Sequence, residues 1–453
     1  MIDLNEVFSG SRVTQVGLGL LGRGIGDART LARYGAQLVV TDQKTEQDLS
    51  ESIERLADVP GITYRLGGHD AGDFEDRDLV LKGAGVPLDS PYIAHARAHG
   101  VPVDMSASLF MRIAGIPCIG VTGTRGKSTT TAMIAAILRA DGQSPLLGGN
   151  VRGVSNLELL EQVTDRSMGV FELDSWQCQG FGEERSLARS SVRQGPFSPS
   201  VAVFTTFMED HLNYYHGDID RYLEDKAHIF LYQQEGDVLV VGTQARDALK
   251  RYRKGMRGHV LFADAQDIPT DCTLKVVGEH NLYLAGIAAA TGRALGVSDE
   301  MIKRALESFQ PLEGRLQFVR TIRGVHVYND NNATTPEATA AALRALDPDG
   351  SKRVILLAGG ADKGLDPMPI ISAAREHAKA IVLLSGSGTD KLLPLCDGLF
   401  ILQADTLQDA AQKGCDIAEE GDVAVFSPGF ASFGMFKNEY DRGDQFLHLV
   451  SSM

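Results

Sequence analysis

Cys118-Ile119-Gly120-Val121-Thr122-Gly123-Thr124-Arg125-Gly126-Lys127-Ser128-Thr129 is the stretch that decides the fold. A short apolar run enters a glycine-rich turn, after which Met133, Ile134, Ile137 and Leu138 recur at helical spacing. A strand that passes through glycines into a helix is the building unit of parallel α/β sheets. Successive N–H groups of such a turn, with the positive end of the helix, make a pocket for phosphate oxygens. Lys127 adds charge there and Ser128 offers an oxygen to Mg²⁺, so the segment reads as an ATP phosphate site. The full phosphate-loop pattern is not met, because Val121 stands five residues before Gly126 and the nearest glycine is Gly123. A chance match in a surface turn is the bland alternative, and the strand-to-helix context speaks against it.

Upstream, residues 12–16 read as a strand that enters Gly17-Leu18-Gly19-Leu20-Leu21-Gly22. A helix over 27–34, a strand over 37–40 closed by Thr41-Asp42, and runs at 79–81 and near Val101 complete a small doubly wound unit. Three glycines at this spacing, with Asp42 about 20 residues on, fit a dinucleotide fingerprint, and alone they suggest NAD or merely a tight turn without ligand. Two phosphate loops in one chain point to two nucleotides, which a hydride carrier does not explain. Downstream, strand-like runs at 169–173, 201–205, 238–241 and 259–262 form a second series. A third starts near His326 and includes 354–357, 381–384, 399–402 and 423–426. The expectation is an α/β chain with largely parallel sheets covered on both faces. Boundaries near Phe110 and Pro311 give domains 1–110, 111–311 and 312–453. Residues 180–200 read as irregular.

Length agrees: 453 residues exceed one ordinary core and suggest about three units. Hydrophobic residues at 43% and charged ones at 23% describe a folded protein. Forty-four basic against 59 acidic side chains leave −15, which argues against binding nucleic acid or an acidic membrane surface. The five cysteines include no C-x-x-C pair, as expected for reduced thiols in cytoplasm. The acidic start lacks the basic flank of a signal peptide, and no apolar run approaches the roughly 18 residues of a membrane span. A protein neither exported nor inserted is therefore expected.

Further candidates lie where strands end. Glu172 closes one strand and Asp210-His211 comes after another, so a metal near the phosphate loop is geometrically plausible. His211 alone reads equally as a structural histidine, and Lys226, on a helical stretch, reads first as a solvated lysine. Arg315, beside Gly314 at a domain boundary, suits a transferred phosphoryl group or a boundary ion pair. The loops 329–332, 359–364 with Lys363, and 427–433 with Ser432 and Phe433 together suit a small pocket for an acidic substrate.

Taken together, the ordered set Gly17-Leu18-Gly19, 122–129, Gly148-Gly149-Asn150, Glu172 to Gln177, Asp210-His211, Lys226, His280-Asn281, Gly314-Arg315, Asn329-Asp330, Asp362-Lys363 and Ser427-Pro428 resembles the Mur ligases essentially end to end. The resemblance implies an N-terminal Rossmann-like domain for a UDP group, a central ATPase domain, and a C-terminal Rossmann-like domain for the incoming amino acid. It implies that Gly19, Leu20, Asp42 and Gly85 line the uridine diphosphate site, with Asn150 and Gln177 further along the substrate. Gly123, Thr124, Arg125, Gly126, Lys127, Ser128 and Thr129 would hold ATP, joined by Asn281, Arg315 and Asp330. Ser128, Glu172, His211 and Lys226 are similar to residues around two Mg²⁺ ions, and the family's lysine at the Lys226 position is carbamylated. Thr334, Lys363, Ser432 and Phe433 look like glutamate-site residues.

The implied activity is ATP-dependent joining of D-glutamate to UDP-N-acetylmuramoyl-L-alanine through an acyl phosphate, by a cytoplasmic, monomeric enzyme of peptidoglycan precursor synthesis. Lys127, Glu172, His211, Lys226 and Arg315 would carry the chemistry. The same chemistry with L-glutamate or another acidic amino acid is the alternative, and a homologue that only binds nucleotide is a third reading. Folylpolyglutamate synthetases share the phosphate loop but lack the 120 or so residues that precede it here. This chain departs from the family pattern at Leu21, Asp174 and Leu284, at Asn331-Asn332 in place of Ser-Lys, and at Glu439 in place of an aromatic residue.

Overall fold

The computed structural model describes residues 2–20, 22–211 and 214–453, so Leu21 lies outside the described residues. Three sheets organise the chain. The first contains β1 (Arg12–Val16), β2 (Gln37–Asp42), β3 (Ile62–Leu66), β4 (Leu79–Lys82) and β5 (Val103–Asp104) in the order β3-β2-β1-β4-β5, all parallel. The second contains β6 (Cys118–Thr122), β7 (Ser144–Gly149), β8 (Ser167–Glu172), β9 (Val201–Phe204), β10 (Val238–Gly242) and β11 (His259–Ala263) in the order β11-β10-β9-β6-β8-β7, also parallel. The third contains β12 (Gln317–Ile322), β13 (Val325–Asn329), β14 (Val354–Gly359), β15 (Ala378–Leu384), β16 (Ile401–Ala404) and β17 (Val423–Phe426) in the order β12-β13-β17-β14-β15-β16. There only β12 and β13 pair antiparallel.

The chain falls into two compact units: Met1–Cys272 with Tyr283–Leu306, holding the first two sheets, and Thr273–Leu282 with Glu307–Met453, holding the third. In the first unit, helix Arg23–Arg33 is tied to the central sheet's loops. Ser155 Oγ donates to Asp27 Oδ1 at 2.6 Å, and Arg33 pairs with Glu161 at 3.0 Å. In the second unit the inner strands alternate between two cores. Val354, Leu356 and Ala358 pack on one face, and Ile355 and Leu357 on the other, as a parallel sheet covered on both sides requires.

The expected strands are present, most to within two or three residues at their ends, and helix Arg23–Arg33 begins four residues before the expected one. Three strands carried too weak a signal to be expected. β7 and β12 are edge strands, the first with Pro145 and two glycines, the second only half-buried. β3, also at an edge, alternates intermediate and exposed residues over five positions. Of residues 180–200, expected to be irregular, Gly180–Gly182 form one short 3₁₀ turn and 183–200 no regular element, yet the segment is held firmly. Arg112 donates to the carbonyls of Arg193, Gly195 and Glu183 while pairing with buried Asp104 at 3.0 Å.

Candidate functional site

β6 lies between β8 and β9, and the loop that leaves its carboxyl end is clamped by Thr205 and Thr206, the two residues just past β9. Thr205 Oγ1 donates to Arg125 O at 2.6 Å, the Thr124 N–H donates to Thr206 O at 2.7 Å, and the Arg125 N–H donates to Thr206 Oγ1 at 2.9 Å. These bonds fix a turn that delivers Gly126 as the N-terminal cap of helix Lys127–Ala140, where no side chain takes the capping position. Helix starts of this kind attract anions through their unsatisfied N–H groups and dipole. Thr129 is buried one turn in, and Arg125 reaches outward to Asp210 at 2.7 Å.

Two lysines converge on this turn. Lys127 Nζ donates to the carbonyls of Gly123 and Thr124 at 3.2 and 3.1 Å. Lys226 Nζ donates to Gly123 O at 2.9 Å and Thr122 Oγ1 at 3.4 Å. Lys226 is only 1% exposed, which overturns its reading as a solvated surface lysine. Helix Ile219–Leu231 buries Tyr222, Leu223, Lys226, Ala227, Ile229 and Phe230, so Lys226 occupies its inward stripe, and its ammonium lies 4.7 Å from the Tyr222 ring centre. Burial pushes the Lys226 pKa down, against the pull of Asp174, Asp210 and Asp225. Burial and then repulsion from Lys226 lower that of Lys127, with Glu172 opposing.

Glu172 ends β8 in a buried position, and its carbonyl accepts the Asn150 N–H at 2.7 Å. His211 holds a left-handed φ of 53°, packs against Trp176 with ring centres 5.0 Å apart and the planes tilted by 53°, and lies 3.6 Å from Asp210. Loss of water lowers its pKa, which favours the neutral imidazole. Asp174, one of the departures from the expected pattern, has a local role. Its Oδ1 accepts the Gln177 N–H at 2.7 Å while Gln177 Oε1 accepts the Asp174 N–H, closing a capping box at the start of helix Ser175–Gln179. Leu284, another departure, packs under the phosphate loop: a Cβ on Gly126 would come within 2.3 Å of it.

A separate cavity of about 470 Å³ opens in the first sheet where β1 and β4 diverge, the position at which doubly wound sheets bind ligands. Gly19, Leu20, Asp42, Gly85 and Gln177 line it, while Asn150 accepts at 2.6 Å from Arg23, another lining residue. Asp42 holds the glycine loop itself: Oδ2 accepts the N–H groups of Leu18 and Gly19 at 2.9 and 3.2 Å, and Oδ1 that of Lys44 at 3.0 Å.

In the second unit three loops meet. The Gly359 N–H donates to Pro428 O at 2.9 Å, the Gly429 N–H to Ala333 O at 2.8 Å, and Ala361 pairs with Ala431. Lys363 Nζ donates to Thr334 Oγ1 at 3.0 Å; Ser432 is buried and Phe433 exposed. Asp330 accepts from Ser427 Oγ at 2.8 Å and from the Leu316 N–H at 3.0 Å, and burial pushes its pKa up to about 7. Asn281 is buried at the head of helix Glu279–Ala294, and Arg315 comes after Gly314 and before β12. Asn331 and Asn332 serve the framework: Asn331 accepts from Arg442 Nε at 2.8 Å and donates to Glu439 O at 2.7 Å, and Asn332 donates to Glu313 O at 3.1 Å.

Two family models match the chain: the Mur ligase middle domain over residues 121–267 and the Mur ligase glutamate ligase domain over residues 314–430. A protein of Roseiflexus sp. strain RS-1 named UDP-N-acetylmuramoylalanine--D-glutamate ligase is 36% identical, over 98% of this chain and 99% of its own. The chain belongs to the Mur ligase family. The fold is shared with the UDP-N-acetylmuramate-alanine ligase MurC of Thermotoga maritima, at a TM-score of 0.60 and 20% identity over 98% of this chain and 99% of that one. It is shared as well with MurF ligase of the same organism, solved in complex with ADP, at 0.56 and 15% over 100% and 96%.

Within this Mur ligase, two cations of the first cavity escaped the motif-based reading. Lys82 ends β4 only 2% exposed, with Nζ donating to Val86 O at 2.6 Å, and burial pushes its pKa down to about 8. Arg23 opens the helix after the glycine loop. A lysine closing an otherwise apolar buried strand was the available signal for the first; nothing in spacing marks the second. Arg442, buried among the carbonyls of Phe430 and Asn331, was missed as well; its place on the inward stripe with Gly443, Phe446 and Val450 was the available signal.

Proposed function

We propose that this Mur ligase joins D-glutamate to UDP-N-acetylmuramoyl-L-alanine with hydrolysis of ATP to ADP and phosphate. The observation that carries the reading is the pairing, within one compact unit, of a lysine-lined phosphate loop with a separate cavity on the first glycine loop. Such a pairing suits two nucleotide-bearing substrates. The relatives named for this reaction, and the ADP held by the MurF neighbour, support the same substrates.

In this reading the cavity with Asp42, Gly85, Arg23 and Lys82 takes the UDP end, and Asn150 and Gln177 guide the muramoyl-alanyl arm toward the phosphate loop. The substrate carboxylate attacks the γ-phosphorus and ADP leaves. The amine of glutamate then adds to the acyl carbon, and phosphate departs as the amide forms. Lys127 and the N–H groups of the helix start stabilise charge on the phosphoryl oxygens, and positioning supplies much of the rest. Asn281, Arg315 and Asp330 keep the nucleotide role that the resemblance gives them, and Thr334, Lys363, Ser432 and Phe433 keep the glutamate role.

The donor set suits Mg²⁺: the buried Glu172 carboxylate and the Ser128 hydroxyl are hard oxygens beside the phosphate loop. When bound, the ion neutralises charge on the nucleotide phosphates. Carbamylation of Lys226 fits its burial, because a lowered pKa raises the fraction of neutral amine that can add CO₂. The carbamate is an anion able to join Glu172 and His211 around metal. Domain boundaries at 1–110, 111–311 and 312–453, a cytoplasmic site of action and a monomeric state complete the proposal. Among the described residues no helix is long and apolar enough to cross a membrane.

Incubation with UDP-N-acetylmuramoyl-L-alanine, ATP, Mg²⁺ and D-glutamate, L-glutamate or another acidic amino acid tests the reading, with ADP release and product mass as readouts. Amide product and ADP with D-glutamate are expected. Release of no ADP with any of them refutes the ligase assignment, and product with L-glutamate alone moves the specificity.

A further inference from the structure

Among the described residues, one group of three His, Cys, Asp or Glu side chains brings a ligand atom from each within 4.8 Å of the others: Glu75, His95 and His99. It stands on the first sheet's outer elements. Glu75 comes directly after the short helical turn Ala71–Phe74, and the two histidines sit one turn apart at the end of helix Pro91–Ala98, where His99 is the capping residue. Four residues on a helix place side chains on one face, the spacing by which paired imidazoles grip one metal ion. Tyr92 of that helix packs on Phe74 at 5.4 Å between ring centres, so the turn and the helix are already held side by side.

We propose that Glu75, His95 and His99 form a zinc site, a role separate from the ligase chemistry. Glu75 Oε1 lies 2.8 Å from His95 Nε2 and 4.0 Å from His99 Nε2, and the imidazole centres are 4.3 Å apart. Zinc bonds of about 2.0–2.1 Å in a tetrahedron separate neighbouring ligand atoms by about 3.3 Å. Adjustments of less than about 1 Å in three partly exposed side chains therefore bring the set to that geometry. The tautomer is prepared as well. His99 Nδ1 lies 2.9 Å from the His95 carbonyl oxygen, which can only accept, so Nδ1 carries a proton, and in the neutral ring Nε2 then holds the lone pair a metal needs. His95 exchanges through solvent to the tautomer with its proton on Nδ1, which frees the Nε2 lone pair as the metal replaces the hydrogen bond to Glu75. Two imidazoles and one carboxylate favour zinc over Mg²⁺ or Ca²⁺, which prefer oxygen, and the remaining position is open to water. The ion would pin the 71–74 turn to the helix just beyond residues 83–86, which line the cavity at the β1–β4 divergence.

The test uses the full chain without a histidine tag, in millimolar Mg²⁺ to fill oxygen-rich sites, titrated with Co²⁺ as a spectroscopic probe. The wild type is expected to take up one equivalent with the intense visible bands of four-coordinate Co²⁺, displaced by Zn²⁺. The double variant His95→Ala/His99→Ala should lose those bands, and Glu75→Gln should weaken uptake roughly 10- to 100-fold. Zn²⁺ should raise the melting temperature of the wild type and not of the double variant, while ligase activity in Mg²⁺ stays the same in both. Equal Co²⁺ uptake by wild type and double variant, or only the pale spectrum of hydrated Co²⁺ with wild type, overturns the proposal.

Discussion

The two glycine loops of the first unit share a plan and differ in what the neighbouring strand supplies. Each leaves the carboxyl end of a parallel strand, turns on glycine and opens a helix whose capping position, Gly22 or Gly126, receives no side chain. At the first loop β2 delivers a carboxylate, and Asp42 takes the Leu18 and Gly19 N–H groups for itself. At the second, β9 leads into two threonines, which fix the loop through Arg125 and Thr124, while two lysines gather at its carbonyls. An internal anion thus stiffens the first loop, whereas concentrated positive charge makes the second attractive to a polyanion. In the proposed reading, a few side chains tune the same fold unit into a cradle for one end of a substrate and a phosphoryl-transfer site.

The largest effect expected from that difference is at Lys127. Lys127→Ala should lower kcat/KM for ADP formation by roughly 10³-fold, as loss of a group that stabilises transferring charge does. Binding of the UDP substrate, measured by calorimetry, should change little because its cavity lies on the other loop. Equal loss of both would merge the two loops into one site and break the comparison. Lys226→Ala comes next, with a loss on the order of 10²-fold in kcat. Partial recovery with short carboxylic acids, which would stand in for the oxygens of the proposed carbamate, separates a metal-binding role from a packing role. Normal activity without them would make this buried lysine a bystander.

Legibility in the sequence divides along the same line. The strand-glycine-helix units at 12–22 and 118–129 were legible because spacing alone specifies them, and so was the alternation that makes parallel sheets. Lys226 was misjudged from composition, although its place four residues after Tyr222 and four before Phe230 sets it on the helix's buried stripe. The partners of Asp42 were hidden because they depend on how β2 lies beside β1, which residue type does not encode. Asn331, Asn332 and Glu439 looked like changes in an amino-acid pocket; what the sequence hid is that both asparagines also tie the loop framework, Asn331 to Arg442 and Glu439 O and Asn332 to Glu313 O.

Backbone substitutions sharpen the contrast further. Gly123 has φ +138°, and a Cβ there would meet Thr205 Oγ1 at 2.1 Å and the Thr206 backbone at 2.9 Å. Gly17 has φ +94°, but a Cβ there would meet nothing within 4 Å. Gly17→Ala therefore carries conformational strain alone, about 1 kcal/mol, whereas Gly123→Ala adds a collision with a hydrogen-bonded clamp. A difference of about 2 kcal/mol in unfolding free energy is expected by urea titration. Equal losses would show that the threonine clamp yields easily and is not what fixes the second loop.

Asp42→Asn probes the other side at the smallest expected effect. The carboxylate accepts on both oxygens, from Leu18 and Gly19 on one and from Lys44 on the other. A carboxamide has one acceptor and one donor, so it keeps one of these arrangements and faces the other with N–H against N–H. The loop loosens without losing volume, and the cost falls on binding: KM for the UDP substrate should rise about tenfold, equal to about 1.4 kcal/mol. Turnover and KM for ATP should stay near wild type, since the threonine clamp and both lysines are untouched. A fall in kcat with KM unchanged would mean that Asp42 acts on the reacting end of the substrate, and the two loops would no longer divide binding from chemistry.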